Sequence, residues 1–142
     1  MCGIAGFSGQ PAVDVSDTVL DRIAHRGPDD SGRYNSSCGL VSLFHTRLAI
    51  QDPTPDGAQP MAAADGQVVI VFNGEIYNFL DLRTRLLERG YVFRSRTEVL
   101  LALYLKDGTN LLEKLKCLST SSRTGYPHLF KRSDRSYRNF YG

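Results

Sequence analysis

Three places in the sequence combine residue types that could carry out chemistry. Cys2 directly follows the initiator Met. Aminopeptidases remove that Met when the next residue is small, so a processed chain would begin with a thiol and a free α-amine on one residue. Such groups ordinarily titrate at about 8.5 and about 7.7–8.0, which supplies a nucleophile and a base near neutral pH without a separate His. The competing reading is an incidental Cys at a tolerant position. Asn73-Gly74-Glu75 follows the apolar run Gln67 to Phe72. A side-chain amide and a backbone N–H at a strand end can cradle a developing oxyanion, each donor being worth roughly 10²–10³ in rate. Asn-Gly after an apolar run is also the commonest short hairpin signal, with positive φ at both residues, and on its own that is the simpler expectation. Arg47, in FHTRLAI, is either a two-pronged clamp for a carboxylate or a sheet-edge residue whose charge reaches out to solvent. His25 and His45 read as structural residues with satisfied hydrogen bonds rather than as bases, and HRGPDD as a capped and turned loop.

These groups need elements to hold them. CGIAGF reads as a short buried strand. Ser16 can cap a helix with Val19, Leu20, Ile23 and Ala24 on one face, stopped at Arg26-Gly27-Pro28. Gly39 to His45 is a strand candidate, with Leu48 to Ile50 a second extended piece beyond Thr46-Arg47. Gln51 to Pro60 is a loop, because three prolines cannot sit in a ladder. Gln67 to Phe72 is the strongest strand, rich in β-branched residues between Asp65-Gly66 and Asn73-Gly74. Asn78 is expected to cap a helix running through Arg89, with Leu82, Leu86 and either Phe79 or Leu87 inside and Gly90 at its stop. Tyr91 to Arg94 should be extended. Ser95-x-x-Glu98 is a capping-box pattern opening a helix whose Val99 to Leu105 are apolar nearly all round, hence buried. A last short helix, LLEKL, follows Thr109 or Asn110. Strands and helices interleaved at these lengths predict a layered α+β or αββα arrangement rather than regular βαβ units.

The chain has 142 residues, of which 42% are hydrophobic and 23% charged, the size and balance of one domain. It contains no apolar run of the ~18 residues needed to span a bilayer and no basic, signal-like start, so neither membrane association nor export is expected and the default compartment is the cytoplasm. Three cysteines without a CxxC pair predict neither a disulfide framework nor a metal site. The net charge of +2 hides an asymmetry. Residues 116–142 carry six basic residues against one acidic, or +5, which leaves −3 on residues 1–115. The basic, aromatic-containing tail matches no nucleic-acid motif and reads as a solvated charge run, so no nucleic-acid partner is expected.

Six motifs occur in one order: MCGIAGF, HRGPDDSG, HTRLAI, GAQPM, FNGEIYN and TEVLLALY. Over about residues 2–115 the chain resembles the N-terminal glutaminase domain of the asparagine synthetases, a class II glutamine amidotransferase. The resemblance implies an N-terminal-nucleophile hydrolase fold, an αββα sandwich, and glutamine as substrate. It implies that Cys2 is the nucleophile and that Asn73 and the Gly74 N–H form the oxyanion hole. Arg47, Leu48, Ile50, Asn73, Gly74, Glu75 and position 96 are implied as the substrate-binding set, with Arg47 on the α-carboxylate and Glu75 on the α-ammonium. No cofactor or metal is implied for this half. ATP and Mg²⁺ serve the family's synthetase domain, which takes the ammonia, activates aspartate and forms asparagine.

Two departures from that family are visible. Arg96 stands where the family usually has an Asp that pairs with the α-ammonium, which turns an attraction into a repulsion if Arg96 points inward. After LLEKL the family continues with alternating apolar strands, whereas residues 116–142 supply no such pattern. The expectation is an incomplete sandwich, followed from 116 to 142 by an atypical tail, disordered or the product of a shifted reading frame. The synthetase domain would then be missing or carried by a separate chain. The alternative to an active glutaminase is a truncated remnant or binding module without turnover.

Overall fold

A computed structural model describes residues 2–8, 16–50, 54–119, 128–133 and 136–139. Gln51 to Pro53, the Ser/Thr-rich stretch from 120 onward and Tyr126, Phe140 and Tyr141 lie outside the described residues. The elements are β1 (Gly3–Ser8), α1 (Ser16–Ile23), β2 (Asp30–Asn35), β3 (Val41–Arg47), β4 (Met61–Ala62), β5 (Val68–Val71), β6 (Gly74–Ile76), α2 (Phe79–Leu87), α3 (Arg96–Asp107), α4 (Leu111–Lys114), β7 (Cys117–Ser119), β8 (His128–Ser133) and β9 (Ser136–Asn139). They make a small α+β domain.

The strands form three sheets, with orders β1-β3-β2, β4-β5-β8-β9 and β6-β7, and every pairing within them is antiparallel. Alternation along β5 decides how the first two sheets are covered, because successive side chains point to opposite faces. Val69 and Val71 pack against Val41 and Leu43 of β3. Val68 and Ile70 instead join a cluster with Leu82 and Leu86 of α2 and Val99 and Leu103 of α3. Leu111 of α4 joins the same cluster, whereas α1 lies against β3, where Thr46 Oγ1 donates to the Ile23 carbonyl at 2.9 Å. Ser95 opens α3 with the expected capping box: its side chain accepts from Glu98 N–H, and Glu98 Oε2 accepts from Ser95 N–H. Val99 to Tyr104 are all buried, but Leu105 is exposed.

Several local expectations change. β1 is buried only at its start and lies at a sheet edge, with Gly6 to Ser8 exposed. β3 runs unbroken through Thr46 and Arg47, and Leu48 to Ile50 form no strand. Gly39 precedes that strand in a turn at φ +68°. The loop expected over HRGPDD ends at Asp30, and Asp30 to Asn35, which the sequence pattern left unassigned, is a strand because β3 offers it a full ladder partner. Tyr91 to Arg94 joins no sheet. Asn78 precedes α2 without capping it, since its side chain is used elsewhere: Nδ2 donates to the Lys114 carbonyl at 2.7 Å and Oδ1 accepts from Lys116 N–H at 2.9 Å. Of the alternatives for the inner face of α2, Phe79 is buried and Leu87 is not. The basic segment contributes strands where the sequence pattern predicts none. β7 pairs with β6, and β8 extends the second sheet alongside β5.

Gly27 lets the HRGP turn approach β3. A Cβ there would sit 2.5 Å from the backbone of both Thr46 and Arg47, atoms that cannot swing aside. Gly27→Ala is therefore expected to lower stability by about 1–3 kcal/mol through forced backbone displacement, measured as the shift in a denaturant midpoint. An unchanged midpoint would show that the turn is not held against β3.

Candidate functional site

The ends of β1, β3 and β5, the start of β6 and the first turn of α3 meet at one cavity of about 320 Å³. Cys2, Arg47, Leu48, Ile50, Asn73, Gly74, Glu75 and Arg96, the residues singled out from sequence, all line it. Their convergence follows from the sheet register. Gly3 pairs with Thr46, so the residue before β1 comes level with the end of β3. The cluster of Val41, Leu43, Val69 and Val71 holds β3 against β5, which ends two residues before Asn73.

Cys2 is partly buried. Its Sγ lies 3.4 Å from Leu48 N, which donates to it, and 4.0 Å from the Leu48 carbonyl. Arg26 Nε donates to the Cys2 carbonyl at 3.2 Å, tying the HRGP turn to the chain start. Arg47 is 7% exposed, and its Nη2 donates to the Thr54 carbonyl at 2.8 Å. It is a buried cavity-wall cation, not a residue reaching out to solvent. Asn73 is buried as well. The hairpin expectation for Asn73-Gly74 does not hold. Gly74 is absent from the glycines at positive φ, and the chain continues into β6, which pairs with β7 instead of folding back on β5.

Arg96 points into the site region. Its Nη1 is 3.3 Å from Glu75 Oε1, and its guanidinium carbon lies 5.0 Å from the centre of the Phe79 ring. Both charged side chains are partly exposed, at 48% and 40%, so this pair works through screened electrostatics.

Gln59, Phe79 and His45 also line the cavity, although the sequence did not mark them as binding groups. Gln59, from GAQPM, crosses between two walls: its Oε1 accepts from Phe72 N–H at 2.6 Å, and its Nε2 donates to Thr97 Oγ1 at 3.3 Å. The signal for it was a polar residue in a loop next to a buried strand end, whose backbone needs a partner. Phe79 lies beneath Arg96. His45 is 1% exposed, and its Nε2 has no hydrogen-bond partner among the described residues, so it is not the satisfied structural histidine expected. Burial chiefly, and then the Arg47 guanidinium, push its pKa down to about 4, with Asp30 opposing the shift.

That depression carries a pH signature. Between pH 6.5 and about 4 the unfolded chain binds a proton at this residue that the folded chain does not, so acid favours unfolding across that window. The expected loss is on the order of 3 kcal/mol by pH 4 relative to neutral pH. Denaturant titrations at pH 7 and pH 4 on the wild type and His45→Gln measure it, and the variant should lose less stability on acidification. Equal losses in the two proteins would refute the assignment.

Among the described residues, no group of three or more His, Cys, Asp or Glu side chains is placed to hold a metal ion, and no helix is long and apolar enough to cross a membrane.

Residues 1–119 match the family described as glutamine amidotransferase domain. The chain is 40% identical over 113 residues to asparagine synthetase [glutamine-hydrolyzing] 1 of Bacillus subtilis, covering 73% of this chain and 17% of that protein. It is 42% identical over 120 residues to asparagine synthetase [glutamine-hydrolyzing] 1 of Arabidopsis thaliana, covering 81% of this chain and 20% of that one. It is also 35% identical over 131 residues to amidase chry2 of Gibberella zeae, covering 82% and 20% respectively. The chain thus spans about a fifth of the length of the curated relatives it matches.

Proposed function

Because this chain belongs to the glutamine amidotransferase domain family, we propose that residues 2–115 form a glutaminase unit of the N-terminal-nucleophile type with an αββα sandwich. The observation that carries this reading is the meeting of Cys2, the Asn73-Gly74 corner and Arg47 around one cavity. After removal of Met1, the α-amine of Cys2 takes the thiol proton as Sγ attacks the side-chain amide carbon of glutamine. The tetrahedral oxyanion is held by the Asn73 amide and the Gly74 N–H. Collapse breaks the C–N bond, and the proton held by the α-amine leaves with ammonia. Water then adds to the thioester, giving glutamate and restoring the thiol. Arg47, with Leu48 and Ile50 beside it, receives the substrate α-carboxylate in a charge-assisted contact, and Glu75 faces the α-ammonium.

Ammonia from this unit serves an ATP-dependent synthetase unit that forms asparagine from aspartate, and ATP and Mg²⁺ belong to that unit. A nucleophilic thiol of this kind is kept reduced in the cytoplasm, the compartment this reading assigns. Incubating the Met-processed chain with a diazoketone analogue of glutamine tests the proposal. One label per chain on Cys2, together with ammonia release from glutamine, supports it. The second reading, a site that binds without turnover, draws on the Arg96–Glu75 pair, and an unlabelled Cys2 with no ammonia would favour it.

A further inference from the structure

Among the described residues, the charged side chains lining the cavity are Arg47, Arg96 and Glu75. His45 adds no charge at neutral pH. Glu75 is in contact with Arg96 at 3.3 Å, and the Phe79 ring under the guanidinium holds that contact at the cavity wall. The described wall therefore carries two cations and one carboxylate, and that carboxylate is already engaged by Arg96. The placement of Arg96 also runs against its helix. It is the first residue of α3, where the helix dipole favours an anion, and Glu98 is the acidic residue of that turn. A local preference broken in the wall of a cavity marks a position with a role beyond folding.

We propose that this site prefers terminal amides whose far end is a carboxylate without an α-ammonium, the monoamides of short aliphatic dicarboxylic acids, over glutamine. The inference rests on the reading of Cys2 as an amide-hydrolysing nucleophile and narrows its substrate class. An incoming α-ammonium has to compete with Arg96 for Glu75, whereas a lone carboxylate meets Arg47 with a second guanidinium in the same cavity. The reaction keeps its balance, the monoamide and water giving the dicarboxylate and ammonium. Since the Arg96–Glu75 pair is half-exposed, the preference is modest, about fivefold.

The test reads binding and turnover separately. Alkylation of Cys2 by iodoacetamide in the Met-processed chain is followed by peptide mass spectrometry, with glutarate or L-glutamate as protectant at neutral pH. Glutarate should half-protect at about one-fifth the concentration of L-glutamate, and Arg96→Asp should reverse the order. This variant places an anion at the start of α3, where the helix tolerates it. L-Glutamate protecting as well as glutarate, neither protecting, or an order unchanged in Arg96→Asp would each overturn the preference. Ammonia release from glutaric monoamide and from L-glutamine is measured in parallel. Selective protection without ammonia from either amide leaves the preference standing and removes the hydrolase reading.

Discussion

Replacement of Cys2 by Ala takes ammonia release from either amide to the background rate, a loss on the order of 10⁶-fold, the scale found when a covalent nucleophile is deleted. The substitution removes the only sulfur among the described residues of the cavity wall while retaining the α-amine of the processed chain, so a surviving rate would have to come from the amine, the Asn73-Gly74 corner and substrate positioning alone. Stability changes little, because the deleted group takes part only in weak contacts with the Leu48 backbone, from its N–H at 3.4 Å and to its carbonyl at 4.0 Å, each worth about 1 kcal/mol or less. Steady-state ammonia assays and a denaturant midpoint on the same preparation separate the two effects. Cys2→Ser adds a second comparison, because it keeps a hydroxyl at the attacking position and gives up the intrinsic nucleophilicity of sulfur. Activity within tenfold of wild type in Cys2→Ala would remove this residue from the chemistry.

Replacement of Asn73 by Ala lowers the turnover number by about 10²–10³ and alters KM little. The amide is asked to act on charge that develops in the transition state, so its loss falls on kcat. Asn73 is buried in the link between β5 and β6, where donors count for more than they would in water. The Gly74 N–H remains in the variant and accounts for the residual rate. A rise in KM at unchanged kcat would instead mean that Asn73 contacts the ground-state substrate and leaves the oxyanion to other donors.

The site was more legible in the sequence than the fold that carries it, for physical reasons. Cys2, Arg47 and Asn73-Gly74 each stand next to a strong apolar run, so chemistry-bearing types were visible against strand-like neighbours. The capping box at Ser95 and Glu98 is a local device and was readable as such. What failed depends on partners far along the chain. The Asn78 amide looked like a cap because nothing near it announces the Lys114 carbonyl and Lys116 N–H that it binds. β2 is a polar, Gly-containing segment that becomes a strand because β3 lies alongside it, and context of that kind overrides propensity. The same holds for β8, whose place is set by β5 and not by its own alternation. His45 was expected to be a structural histidine with its hydrogen bonds satisfied. Its burial is real, but an Nε2 without a partner among the described residues could not be read from one dimension. Asn-Gly misled in the opposite direction, because a frequent turn signal here precedes a strand that crosses to another sheet.

The bridging amide of Gln59 has a mechanical corollary. It fastens the peptide just ahead of Asn73 to Thr97, one residue beyond Arg96, so it braces the polar corner against the cationic rim alongside the more exposed Arg96–Glu75 contact. Asn in place of Gln59 is one methylene too short to span both contacts, so the wall carrying Asn73 and the wall carrying Arg96 would shift more easily against each other.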